Sequence, residues 1–250
     1  MGRAVAILAA AALGGCALQP ETPSPAEIPL PAVGKFSIAK PGDVLPSGWR
    51  VWSLSNLKRP TEYRLVDHQG RTVIFARARN SASGLVFPIA IDPKEYPLLQ
   101  WRWNVSALIN GADNTRRQLE DSPARIVIAF DGDKSKLPFE ERLFAEQFKL
   151  LSKQELPYAL LMYIWENRAP VGTVIDNVHT SRIKMIVADS GATNVGAWRE
   201  QTRDLYQDYK RAFGEEPPRI RSIGIMTDTD NTGERAEAWY DAITLRPRGE

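Results

Sequence analysis

The densest chemistry in this 250-residue sequence lies near its C-terminal end, where Asp228-Thr229-Asp230-Asn231-Thr232-Gly233 is followed shortly by Trp239-Tyr240-Asp241. Aspartates at alternate positions ahead of a glycine offer the hard oxygen ligands that calcium takes, so Asp228, Asp230 and Asp241 form a candidate metal set with Ca2+ as the candidate ion. The spacing is not that of an EF-hand. Counted from Asp228, the fifth position is Thr232 and the twelfth is Trp239, where that loop needs Asp or Asn and then Glu. The alternative is a polar turn whose Asp and Asn side chains bond their own backbone. The same carboxylates are what a glycoside hydrolase would use, and that chemistry needs two carboxyls about 5–9.5 Å apart across a cleft. Other catalytic signatures are missing: there is no G-x-S-x-G, G-x-G-x-x-G, phosphate loop or H-E-x-x-H. The two histidines, His68 and His179, lie far apart in sequence, and nothing near Ser190 marks it as an activated nucleophile. No catalytic residue is assigned, and an enzyme is the least favoured class.

A second candidate set is aromatic and basic. Aromatic faces stack on sugar rings, and the chain has seven tryptophans. Period-two alternation sorts them: Leu99, Trp101, Trp103 and Val105 share one strand face and are expected in the core, opposite Gln100, Arg102 and Asn104. Arg125 shares a face with Val127 and Ala129, and Tyr163, Trp165 and Asn167 share one opposite Met162 and Ile164. If these three strands are neighbours, Arg102, Asn104, Arg125, Tyr163, Trp165 and Asn167 line one concave sheet as a ligand-binding set.

The elements that must position these residues are short and mostly extended. Alternating segments are expected near Lys35–Ala39, Arg50–Leu54, Glu62–Asp67, Thr72–Arg79, Gly84–Ile91, Leu98–Val105, Arg125–Phe130, Ala159–Glu166, Arg182–Ala188, Ile220–Met226 and Ala238–Leu245. His68-Gln69-Gly70-Arg71 is a hairpin signal, because Gly70 can take the positive φ of the turn. Two stretches show helical spacing instead: Phe139, Leu143, Phe144 and Phe148, then Trp198, Leu205, Tyr209 and Phe213 ahead of Gly214. Many short strands with turn signals predict a mainly β protein, a β-sandwich or barrel, with two peripheral helices packed on it in one domain over residues 33–248.

The N-terminus carries an address. Arg3 precedes an apolar run from Ala4 to Leu13, and Gly14-Gly15-Cys16 follow. The run is far short of the roughly 20 residues a membrane span needs. Leu13-Gly14-Gly15-Cys16 resembles the bacterial lipobox, in which the cysteine is lipidated. Residues 1–15 are therefore expected to be a lipoprotein signal peptide, Cys16 the lipidation site, and residues 16–32, with five prolines, a semi-rigid tether. Ala17 after the cysteine, in place of Asp, favours the outer membrane, facing the periplasm, in the lipoproteins this segment resembles. With 43% apolar and 25% charged residues and a net charge of +2, the composition argues against nucleic acid as a partner. Cys16 is the sole cysteine, so disulfides and cysteine-built zinc sites are excluded from the domain.

Several segments in fixed order carry a family resemblance: Leu99 to Trp103, Asp121 to Phe130, Leu161 to Trp165, Ser190-Gly191, Arg203 to Tyr209, Phe213-Gly214 and the acidic loop Met226 to Thr232. The series resembles a bacterial family known as domain of unknown function 3047, over roughly Val33 to Leu245. The resemblance implies a secreted or lipid-anchored envelope protein and a sandwich similar to galactose-binding jelly rolls, and it brings no catalytic residues. The expected function is a non-catalytic cell-envelope binding module for a glycan or another polar polymer. The alternatives are a structural protein binding another envelope protein and, behind it, a carboxylate-dependent hydrolase. Cys16→Ser is expected to abolish labelling with radioactive palmitate and leave the precursor uncleaved or the protein released. Labelling that survives the substitution would refute the lipobox.

Overall fold

The computed structural model describes residues 32–34, 36–42, 45–53, 58–178 and 180–249; Cys16, the proline-rich stretch before Ala32 and His179 lie outside the described residues. Among the described residues, strands in two sheets and two α-helices build the expected mainly β sandwich. The six-stranded sheet runs from β11 (Arg199–Asp204) through β6 (Leu98–Val105), β13 (Arg235–Arg246) and β4 (Arg71–Arg79) to β3 (Glu62–His68), with β1 (Ala32–Gly34) also on β13. The seven-stranded sheet has the order β2 (Arg50–Trp52), β5 (Ala82–Ile91), β12 (Arg219–Asp228), β7 (Arg125–Asp131), β8 (Ala159–Glu166), β10 (Ile183–Ser190) and β9 (Val174–Asp176). Strands β8 and β10 run parallel, and the other pairs are antiparallel. The β3–β4 hairpin turns at Gln69 and Gly70, with φ of 57° and 78°, the two positive values a type I′ turn requires.

Alternation on β6 sends Trp101 and Trp103 inward as expected. Trp101 stacks on Tyr163 with ring centres 5.0 Å apart, and Trp103 lies 6.1 Å from Trp165, so two aromatic contacts join the sheets across the core. Three of the four rings find a partner for their polar atom, and Trp101 Nε1 is buried without one among the described residues. Trp103 Nε1 donates to Asp189 at 2.7 Å, Trp165 Nε1 to the Gly191 carbonyl at 3.2 Å, and the Tyr163 hydroxyl to Asp208 at 2.9 Å. Tyr163 and Trp165 are thus core residues with no measurable exposure, which corrects the expectation that they face a ligand. The reason is that every residue of β8 is buried, so alternation separates its two faces without saying which one meets the core.

The outer face of the seven-stranded sheet is itself apolar, with Val127, Ala129, Leu160, Met162, Ile164, Met185, Val187 and Met226 in one buried cluster. Helix α1 (Phe139–Ser152) lies beside it, with Phe144 and Phe148 turned to the sheet. Phe139 and Leu143 do not pack as the stripe predicted, at 66% and 46% exposed, and Leu150, outside that stripe, is 70% exposed. Helix α2 (Leu205–Phe213) does enter the core through Leu205 and Tyr209, the latter 4.5 Å from the Phe130 ring. Asp204 caps α2 by accepting from Gln207 N at 3.0 Å, so the helix starts at Leu205, and Trp198 belongs to the approach to β11. The segment Lys35–Ala39, expected as a strand, holds instead a 3-10 turn at Phe36–Ile38 that places the Phe36 ring 5.4 Å from Trp49. Trp165→Ala is expected to cost about 3–5 kcal/mol of unfolding free energy by urea denaturation, the range for deleting a buried large aromatic; a loss below about 1 kcal/mol would contradict its placement between the sheets.

Candidate functional site

The nine residues singled out from the sequence, apart from Cys16, fall into three places. Tyr163 and Trp165 are in the core, and Asn167 follows them to clamp a loop, donating to the carbonyls of Ile109 at 2.8 Å and Ala112 at 3.0 Å. Arg102 and Asn104 are on β6, in the other sheet from Arg125, so the six do not share a concave face. Arg102 lies over the Trp198 ring at 5.1 Å, and Asn104 donates to the Gly196 carbonyl at 3.1 Å. Asp241, on β13, sits beside Arg102 at 3.7 Å and Arg71 at 2.9 Å, away from the other two aspartates. The third place unites Arg125, Asp228 and Asp230.

Register explains that union. Arg125 opens β7 and pairs with Met226 near the end of the neighbouring β12, so Asp228 arrives beside it. Arg125 donates through Nε to Asp228 Oδ1 at 2.7 Å and through Nη2 to Oδ2 at 2.9 Å, a bidentate pair with both residues almost fully buried. The same guanidinium donates to the Glu120 carbonyl at 3.0 Å, and Ser122 N donates to Asp228 at 3.3 Å. The ion pair thereby ties the segment entering β7 to the loop leaving β12. Burial pushes the Asp228 carboxyl up to about 6, more than the Arg125 charge pulls it down. Burial also lowers the Arg125 value, but the Asp228 charge and hydrogen bonds outweigh it, so the guanidinium stays firmly protonated.

Asp121 takes the place expected of Asp241: oxygens of Asp121, Asp228 and Asp230 lie within 4.8 Å of one another. These carboxylates do not fit a calcium ion as they stand. Asp121 accepts from Thr232 N and Oγ1, both at 2.7 Å, Asp228 is filled by Arg125, and Asp230 is paired with Lys58. Two side-chain cations and several N–H groups already supply the positive charge that a metal would bring. The polar-turn alternative does not describe the 228–233 loop either, since the side chains of Asp228, Asp230 and Asn231 reach Arg125, Lys58 and the Glu120 carbonyl rather than their own backbone. Sequence reasoning missed Asp121 as a site residue because 110 positions separate it from Asn231, whose amide it receives at 3.3 Å.

Above this cluster a cleft of about 530 Å³ opens on the outer face of the seven-stranded sheet. Leu160, Met162 and Met226 form its floor, Phe144 and Phe148 of α1 one wall, and Lys58, Glu120, Asn177, Asp230 and Asn231 its polar end. Glu120 accepts from Asn177 Nδ2 at 3.1 and 3.2 Å, and burial raises its pKa above the ordinary glutamate value, against the pull of Arg125 and Asn177. A second cleft of about 550 Å³ adjoins the first on the same face. It shares Leu160 with the first, and of the consecutive residues Leu156 and Pro157 the former lines the first cleft and the latter the second. This second cleft holds a half-buried Trp52 from the edge strand β2, flanked by Arg50, Arg221, Gln154, Glu155 and Asp131. Nothing in the sequence marked Trp52, because its role depends on where an edge strand lies relative to α1.

Arg125→Met is expected to lower stability by about 3–5 kcal/mol at pH 8, since it leaves the Asp228 carboxylate buried without its cation. A carboxyl whose folded pKa exceeds its unfolded value of about 3.9 costs stability above the folded pKa, and that cost fades as the pH falls toward the unfolded value. Asp228 already stands at about 6 beside Arg125, so the loss in the variant must shrink between pH 8 and pH 5. Urea unfolding at both pH values checks this, and an equal loss at both would contradict it.

No curated protein matches the chain. Among solved structures, the xyloglucanase domain of NopAA, a type three effector from Sinorhizobium fredii, is similar at 10% identity and TM-score 0.44, over 83% of this chain and 98% of that one. A beta-1,2-glucanase from Parabacteroides distasonis is similar at 11% identity and TM-score 0.39, over 87% of this chain and 25% of that one. A family 29 carbohydrate-binding module from Piromyces equi is similar at 7% identity and TM-score 0.35, over 86% and 87%. The family described as protein of unknown function (DUF3047) matches residues 47–244, the span that holds both sheets' long strands, the Arg125–Asp228 pair and the paired clefts, and the chain belongs to that family.

Proposed function

We propose that this chain is a non-catalytic binding module of the bacterial cell envelope that takes a segment of a polar polymer, a glycan first of all, along the outer face of its seven-stranded sheet. The observation that carries this reading is the pair of adjoining clefts, about 530 and 550 Å³, with Leu160 common to both. A groove of two connected compartments suits a chain of repeating units better than a single small molecule. Its chemistry suits a sugar: an apolar floor and Trp52 for the C–H faces of the rings, with guanidinium, amide and carboxylate groups along the rim for the hydroxyls.

The carboxylates support binding over hydrolysis. Asp228 is committed to Arg125, Asp230 to Lys58, Asp121 to the 231–232 backbone, and Glu120 to Asn177. A general acid and its partner must instead be free to exchange a proton with substrate. In this reading Cys16 carries the lipid, and the proline-rich segment, extended at about 3.1 Å per residue, holds the sandwich off the membrane, the outer one on its periplasmic side. A second reading, an envelope protein as partner, is favoured by a specific feature: Phe139, Leu143 and Leu150 point within about 40° of one another on α1 and are exposed.

A glycan array and soluble peptidoglycan fragments, with calorimetry on any hit, test the leading reading. Trp52→Ala is expected to weaken binding at least tenfold while circular dichroism and melting temperature stay near the parent's. The reading fails if neither the array nor the fragments bind the parent, or if a hit binds Trp52→Ala and Asn177→Ala as tightly as the parent. Loss of a co-purifying envelope protein on Leu143→Glu, with no glycan bound, would put the second reading first.

A further inference from the structure

The outer face of the six-stranded sheet differs in kind from the cleft face, for it is laced with arginines. Arg77 is 2.8 Å from Glu237, Arg71 is 2.9 Å from Asp241, and Arg102 has Glu200 at 3.1 Å. Arg248 reaches Asp204 at 2.6 Å. Among the described residues, Arg79 and Arg235 at the far end of the face are unpaired and exposed, whereas Arg246 is unpaired and partly buried. On β13 it pairs in register with Leu98, two positions from the Thr244–Gln100 pair, and its guanidinium makes no ion pair or hydrogen bond among the described residues. Its Nε is nevertheless buried. A buried donor without a partner costs free energy, and one found in a native fold calls for a ligand, a water or an ion to receive it.

Around Arg246 lies a groove of about 410 Å³ whose other walls are Arg71, Arg102, Gln100, Thr202 and Thr244. Two further buried polar atoms of the groove, Arg102 Nε and Asp241 Oδ2, are held by ion pairs alone, to Glu200 at 3.1 Å and to Arg71 at 2.9 Å, so Arg246 Nε is the buried atom there with neither kind of partner among the described residues. The carboxylates within it are Asp241, held between Arg71 and Arg102, and Glu200, whose side chain is 76% exposed. Three guanidinium groups thus face two carboxylates, and the uncompensated one is Arg246. Gln100 Nε2 donates to Thr202 Oγ1 at 3.2 Å, which leaves the threonine hydroxyl proton free to point into the groove. The backbone is shaped here as well. A bulge shifts the β13–β6 register between Asp241 and Thr244, and Ala242 within it has φ of +53°, a left-handed value that a non-glycine residue adopts at a cost.

We propose that this groove is a binding site for an oxyanion, a carboxylate or phosphate group on a polar ligand, with Arg246 as its principal counter-charge and Arg71, Arg102 and Thr202 as further donors. A forked guanidinium presents two parallel N–H groups to either anion, which is the geometry both accept best. The site is separate from the cleft on the opposite sheet and stands whether or not that cleft takes a glycan.

The test is calorimetric or NMR titration of the full mature chain at constant low ionic strength, with inorganic phosphate and with a glucuronate oligomer as probes and sodium chloride as the control. At least one probe is expected to saturate a single site. Arg246→Gln should weaken it at least tenfold, and Arg246→Lys should recover only part of the loss. Glu200→Gln, an exposed substitution that cannot disturb the core, should tighten it severalfold by removing a competing negative charge. Saturation by phosphate alone assigns a phosphate-bearing ligand, and saturation by the glucuronate oligomer alone a carboxylate-bearing one. The proposal is overturned if neither probe saturates, if Arg246→Gln binds as the parent does, or if Glu200→Gln leaves the affinity unchanged.

Discussion

A sheet that is apolar on both faces has to be covered on both, and the architecture of this protein follows from that constraint. Strands β7 and β8 are buried along almost their whole length, on the inner face against Trp101, Trp103 and Tyr240, and on the outer face through Val127, Ala129, Leu160 and Met162. The six-stranded sheet covers the inner side. On the outer side, among the described residues, there is no third sheet, only α1 and the connections between strands. A single helix of 14 residues is about 21 Å long and roughly 10 Å wide, so it shields part of a seven-stranded surface and leaves troughs along its flanks. The first cleft is such a trough, walled by Phe144 and Phe148, the second is bounded by Gln154, Glu155 and Pro157 of the connector that follows α1, and Leu160 lies on the floor of both.

The buried Arg125–Asp228 pair belongs to the same problem. At the end of the apolar face the chain has to turn, and the segments before β7 and after β12 carry backbone groups that need partners. Desolvating two charges is expensive, and a pair of well-packed apolar residues would often serve stability as well or better. What such residues lack is reach: the Arg125 fork contacts Asp228 and the Glu120 carbonyl at once, while Asp228 receives Ser122 N. The loops that form the polar rim of the cleft are therefore fixed by an interaction beneath it. The rim carboxylates inherit a low-dielectric setting from the apolar floor, which is why burial raises both Glu120 and Asp228.

How much of this was legible in the sequence depended on whether a residue's surroundings lie within its own strand. The β6 pattern placed Trp101 and Trp103 inward because the opposite face is polar, and the hairpin at Gly70 needed only four residues to declare itself. The β8 pattern gave the parity of Tyr163 and Trp165 against Met162 and Ile164 but not its sense, since both faces are covered. The α1 spacing gave a helix and not its packing, for Phe139 and Leu143 look the same in sequence whether a helix faces in or out. Grouping Asp241 with Asp228 was an inference from nearness in sequence. Along β13 the chain crosses the molecule in a dozen residues, so the aspartate near in sequence ends far off, and Asp121 arrives by way of β7. The resemblance that singled out Asp121 to Phe130 held that signal without explaining it.

The two outer faces also differ in how they can hold a ligand, and the difference follows from what covers them. On the seven-stranded side, water is already displaced from most of the floor, so a ligand that completes the cover gains from apolar burial and meets polar groups whose charges are poorly screened. Selectivity there rests on shape, and binding is expected to vary little with salt. On the six-stranded side arginines lie over aromatic rings and beside exposed carboxylates, as Arg102 does over the half-buried Trp198 and beside Glu200. Such pairs are individually weak in water and weaken further as ionic strength rises over the physiological range. That face can exchange its exposed acidic partner Glu200 for another at little cost, while the buried Asp241 keeps its place between Arg71 and Arg102. A sandwich with one face reading shape and the other reading charge can grip a polymer on the first while the second meets an acidic group, without either contact disturbing the aromatic core that separates them.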